Sequence, residues 1–86
     1  MPRISEFFGI VIAMYYDDHA PPHFHAKYAE HEATFSIDTS HLLEGSLPRR
    51  AVALVQEWAA LHRPELATNW DLARQGRPPN RIAPLE

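Results

Sequence analysis

Apolar and polar residues change period once along this chain, and the change divides it into a strand-rich front and a helical back. "IVIAMYY", Ile10 to Tyr16, is bulky, β-branched and aromatic, and it stops at "DDHAPP", where two prolines forbid helix; it reads as a strand apolar on both faces. "HFHAKY" then alternates, with His23, His25 and Lys27 facing one way and Phe24, Ala26 and Tyr28 the other. "EATFSID" repeats the pattern, setting Ala33, Phe35 and Ile37 against Glu32, Thr34, Ser36 and Asp38. Two alternating strands in succession predict a hairpin. With Ala29-Glu30 as a two-residue loop, Tyr28 pairs with His31, Lys27 with Glu32, Ala26 with Ala33, His25 with Thr34, Phe24 with Phe35 and His23 with Ser36. From Lys27 outward every pair matches polar to polar or apolar to apolar, and a slip of one residue destroys the match. Ala-Glu is poor chemistry for a primed turn, which leaves a longer loop open.

After a loop or short fourth strand around "HLLEG" the period lengthens. "LPRRAVALVQEWAALHR" sets Ala51, Leu54, Val55, Trp58 and Leu61 on one helical face, opened by Pro48 near the first turn. Pro64 interrupts that helix and begins another, with a stripe at Leu66, Trp70 and Ala73 and a stop at Gly76. The predicted fold is α+β in a single domain over 1–86: a small antiparallel sheet of three to four strands, then a helical hairpin packed on one face, then an extended tail from about residue 77. If Phe24, Ala26, Ala33, Phe35 and Ile37 meet Trp58, then His23 and His25 lie on the opposite, accessible face.

Composition narrows the chemistry. With 86 residues, 45% of them apolar, the chain has room for one core, and a domain this small commonly gains from oligomerisation. The absence of cysteine excludes disulfides, thiolate nucleophiles and cysteine-bearing metal sites. The apolar runs are too short to cross a bilayer and no basic-then-apolar leader opens the chain, so the expectation is a cytoplasmic protein without a membrane partner. Charge is unevenly spread. Residues 1–48 carry Arg3 and Lys27 against seven carboxylates, whereas residues 49–81 carry six arginines against Glu57, Glu65 and Asp71.

Four of the six histidines, His19, His23, His25 and His31, fall within thirteen positions. Imidazoles two apart on a strand point to the same side and can share an ion. His19 from the preceding loop and Asp18, or Asp17 in its place, would complete a site for a divalent metal ion. The competing reading needs no cofactor. There His23 and His25 act as general acid and base on RNA, while Lys27, Arg49 or Arg50 stabilises the developing negative charge. A third reading has no chemistry at all: the polar sheet face or its edge docks a partner, with Tyr15, Tyr16 and Tyr28 as anchors where they are exposed. Arg49, Arg50, Arg74, Arg77 and Arg81 could alternatively present a DNA-binding helical hairpin, against which the net charge of −3 argues mildly. His31 belongs to the far turn, "AEHE" to the end of the hairpin, and His41 and His62 to ordinary surface or helix-end positions.

"MPRISEFFGIVIAMYYDDHAPPHFHAKY", "EGSLPRRAVALVQEWAALHRPEL" and "NWDLARQGRPPNRIAPLE" together closely resemble the small bacterial proteins of the domain of unknown function 4160 family, over essentially the whole chain. That resemblance implies a gene pair with a second small protein, of the domain of unknown function 2442 family. Such pairs look like toxin–antitoxin modules in which this family is the toxin-like component. It implies a cognate antitoxin-like partner and supplies no catalytic residues. The expectation is therefore a toxin-like component, acting on RNA through the His23/His25 face as a metal-independent ribonuclease. The alternative is a non-enzymatic partner-binding or DNA-binding regulatory domain, and a homo-oligomer is open to either.

Overall fold

The computed structural model describes residues 2–86. Five strands, β1 (Arg3–Phe7), β2 (Ile10–Ala13), β3 (His23–Tyr28), β4 (His31–Ser36) and β5 (Leu42–Gly45), precede two helices, α1 (Arg49–Leu61) and α2 (Arg63–Arg74). The strands make one antiparallel sheet in which spatial order follows chain order. The α+β layout of sheet followed by helical hairpin is thus observed, with five strands where three to four were predicted. β1 is the addition. Its alternation is broken by a register shift between Arg3 and Ser5, which hides its period in the sequence. The strand expected over 10–16 keeps its regular pairing only to Ala13, beyond which the chain leaves the sheet.

The β3–β4 register is the predicted one at all six pairs, from His23↔Ser36 to Tyr28↔His31. Ala29-Glu30 does form the two-residue turn, with Ala29 held at φ 53°. That is left-handed backbone, which disfavours any side chain larger than glycine's. Alternation prevailed over poor turn chemistry because a slipped register would expose the whole apolar face.

That face is covered by the helices. The Trp58 ring sits 5.5 Å from Phe7 and 5.7 Å from Phe24, and Phe24 stacks on Phe35 across the strands at 5.6 Å. One apolar cluster runs from Ile4 through Ile12, Phe24, Phe35, Val55, Trp58, Leu66 and Trp70 to Ile82 and Leu85. α2 buries the predicted Leu66, Trp70 and Ala73, and ends at Gly76, whose φ of 73° suits the stop. Leu61, predicted for the buried stripe of α1, is instead 66% exposed; the inward face is completed by Ala59.

Residues 77–86 contain neither helix nor strand, yet they are fastened. Buried Asn69 grips the backbone of Asn80 on both sides, donating from Nδ2 to its carbonyl and accepting its amide, each at 2.8 Å. The Trp58 Nε1–H donates to the Ala83 carbonyl at 2.9 Å, and the Ile82 amide donates to the Ile4 carbonyl at 2.7 Å. The tail thereby lies along β1. Among the described residues no helix is long and apolar enough to cross a membrane.

Candidate metal centre

The segment between β2 and β3, residues 14–22, brings the site together. Three backbone bonds hold it: the Met14 amide to the Pro2 carbonyl (3.1 Å), the Asp17 amide to the Ala73 carbonyl at the end of α2 (3.2 Å), and the Ile37 amide to the Pro22 carbonyl (3.1 Å). Asp17 has φ 56° and the Ala20–Pro21 peptide is cis. So anchored, the segment folds back over the start of β3 and sets Asp18 above His23 and His25.

Asp18 Oδ2 lies 3.0 Å from His23 Nε2 and 3.2 Å from His25 Nε2. The other nitrogen of each ring is also engaged. His23 Nδ1 stands 2.7 Å from the Pro21 carbonyl oxygen, and His25 Nδ1 stands 3.3 Å from Glu32 Oε2. A carbonyl only accepts, so His23 Nδ1 carries the hydrogen and donates it to Pro21; His25 has a carboxylate at each nitrogen, and with its hydrogen on Nδ1 it donates to Glu32. A neutral imidazole has no second N–H, and both Nε2 lone pairs are then aimed at the Asp18 carboxylate. Three electron-rich atoms converge on one point, all within 4.8 Å of one another. Either two added protons or one cation must separate them. Two protons would leave two imidazolium rings with centroids 5.3 Å apart. One divalent ion replaces both. Ligands about 2.1 Å from an ion stand about 3.0 Å apart at right angles and about 3.4 Å apart at tetrahedral angles, the range into which both Asp18 separations fall.

The surroundings fit that role. His23 is 4% exposed, packed between the rings of Trp70 and His19, each 5.3 Å away. His25 lies under the Tyr15 ring, centroids 4.0 Å apart, and Tyr15 donates its hydroxyl to the same Glu32 Oε2 at 3.4 Å. Burial, followed by the Glu32 charge, pushes the Tyr15 hydroxyl above its ordinary range, which keeps it a donor. Burial alone would raise the Asp18 carboxyl. In the metal-free form, with the added protons on the two rings, the hydrogen bond from His25, the His19 amide at 2.9 Å and the charges of the two imidazoles outweigh it and hold Asp18 below the usual carboxylate value. The carboxylate is ionised, as a ligand must be.

The expected accessible pair is therefore not accessible: the alternation of β3 is as predicted, but the folded-back segment and Trp70 cover it. Of the metal set, Asp18, His23 and His25 converge, while His19 stands alongside with Nε2 3.7 Å from Asp18 Oδ1 and its side chain 80% exposed. Of the catalytic set, Lys27 is exposed two residues beyond His25 on the same face. Arg50 is elsewhere. It lines a groove with Ile10 and Tyr28 near the β3–β4 turn, five residues along the strand from His23 and on the opposite face, while Arg49 is exposed at the first position of α1. The structure does not bring the two arginines to the histidines.

Sequence reasoning missed Glu32, Tyr15 and Trp70 as neighbours of the site. For Glu32 the signal was present, since the predicted register puts it on the histidine face diagonal to His25. Beside the trio a cleft of about 200 Å³ opens, lined by His19, Pro21, His23, Thr34, Leu43 and Glu44.

A sequence model of the family described as "Domain of unknown function (DUF4160)" matches residues 9–71. No curated protein and no solved structure matches the chain.

Proposed function

We propose, for a chain that belongs to the DUF4160 family, that Asp18, His23 and His25 bind one divalent transition-metal ion and that this ion is the centre of the protein's chemistry. The observation that carries the reading is the convergence of His23 Nε2, His25 Nε2 and the Asp18 carboxylate, with an acceptor beside each Nδ1 that lets both rings turn an Nε2 lone pair toward an ion. Two histidines and one carboxylate leave coordination positions open for water or substrate, as in hydrolytic zinc and non-haem iron sites. Glu32 and the Pro21 carbonyl act as the outer partners that fix ring orientation.

In the toxin-like role that the family resemblance implies, such an ion would polarise a phosphodiester or activate water toward RNA. The metal-free acid–base route is less well supported, because His23 is nearly buried with its Nδ1 held by the Pro21 carbonyl, and Arg50 lies in the groove on the other face. Partner binding is a second reading, and it rests on β5. That strand ends the sheet, three of its four residues are exposed, and Leu43 stands at the mouth of the cleft beside the trio. An antitoxin-like strand added there would close the cleft.

Calorimetric titration of tag-free, chelator-treated protein with Zn2+ tests the site. Wild type is expected to take up one ion per chain, His25→Ala none, and Glu32→Gln one ion with an affinity lower by about 10–100-fold. Absence of saturable one-to-one binding in the wild type would sink the proposal.

A further inference from the structure

The second concave feature of the molecule lies on the other face, where α1 meets the β1–β2 turn. It is a groove of about 310 Å³ lined by Phe8, Tyr28, Leu54 and Leu85 and bordered by Arg50 and Glu57. Phe8 is 60% exposed and sits at φ 50°, in left-handed backbone that a bulky aromatic disfavours. The two-residue turn Phe8-Gly9 between Phe7 and Ile10 requires that backbone, and it leaves the Phe8 ring at the edge of the groove. On α1 the positions 50, 54, 57 and 61 recur at spacings of four, three and four, which places Arg50, Leu54, Glu57 and Leu61 on one stripe. Beside its inward face, which ends at Trp58 and Ala59, the helix therefore carries a stripe on which two charges alternate with two leucines, Leu54 half-buried against the core and Leu61 exposed.

The charges on that stripe name its occupant. Arg50 and Glu57 flank Leu54, seven residues or about 10 Å apart along the helix, and among the described residues neither has an ion-pair partner. A surface carrying one cation and one anion symmetrically about an apolar centre is complementary to itself when rotated by a two-fold axis. We infer that this groove is the interface of a homodimer in which α1 packs antiparallel to α1 of a second copy, Arg50 of each chain meeting Glu57 of the other. Leu54 and the small Ala53 sit nearest the axis, where the helices approach most closely. Phe8 and Leu61 extend the apolar contact to either side. The metal trio lies on the opposite face of the sheet, so two copies would present two sites outward.

Sedimentation equilibrium of the full chain, from about 1 to about 100 µM, tests the interface with charge reversals. The wild type is expected to dimerise. Arg50→Glu and Glu57→Arg, each placing like charges opposite one another, should weaken the dimer at least about tenfold, and the double reversal should restore it. Circular dichroism confirms that each variant is folded, and Leu61→Lys, at a residue mostly outside the core, provides a second disruption. A wild type monomeric throughout the range overturns the inference. So does a dimer indifferent to both single reversals, or a monomer that takes up only a different protein on this face.

Discussion

Strand β3 has two faces that differ in everything but backbone. Its even-numbered residues, Phe24, Ala26 and Tyr28, join an apolar layer in which Phe24 stacks on Phe35 and meets Trp58. Its odd-numbered residues, His23, His25 and Lys27, face Asp18, Glu32 and Thr34. One face answers to volume and tolerates chemistry poorly, and the other is held by directional bonds to a few atoms. Buried polarity there is stabilised only while every donor and acceptor is matched. Substitutions on the two faces should accordingly fail in different ways, one in stability and the other in ion binding.

The largest effect is expected on the apolar face. Phe24→Ala removes a fully buried ring between Phe35 and Trp58 and should cost about 3–5 kcal/mol, read as a lower urea midpoint, with ion binding retained by whatever fraction stays folded. On the polar face, in metal-free protein whose two rings carry the added protons and donate to Asp18, Asp18→Asn should cost about 1–3 kcal/mol. The sign follows from the lowered Asp18 carboxyl. A depressed folded-state value stabilises the fold above the ordinary carboxylate range, and that contribution is lost as pH falls through the folded value. The gap between wild type and Asp18→Asn should therefore close in strong acid, which denaturation curves at pH 7 and near pH 3 would measure. The smallest effect is at the turn joining β3 to β4. Ala29→Gly relieves left-handed strain and should raise stability by about 0.5–1 kcal/mol while leaving both faces unchanged.

Alternation made much of this legible. Matching polar and apolar residues across the hairpin identified all six β3–β4 pairs, because a strand with one buried face admits a single register. The helical periods and their proline and glycine punctuation gave α1 and α2 in the same way. β1 was not legible, since five residues interrupted by a bulge carry too little period to recognise. The burial of His23 depends on Trp70 and on a segment pinned to the end of α2, contacts between residues far apart in the chain that no local pattern encodes. Asp18 was accessible as a ligand candidate because it precedes the histidines in a loop stiffened by prolines. Glu32 sits next to the hairpin turn, where the sequence reads as a strand end, yet the register places it diagonal to His25 on the histidine face. Arg49 and Arg50 were grouped with the histidines on charge alone, and the sheet separates Arg50 from them.

The claim on which the functional reading depends is that Asp18, His23 and His25 form one metal site. Elemental measurement of tag-free protein, purified without chelator, tests it most directly when wild type is compared with Asp18→Asn and His23→Ala. One divalent transition-metal ion per wild-type chain, lost from both folded variants, is the predicted result. A wild type without a stoichiometric ion, or variants that retain it, would contradict the account.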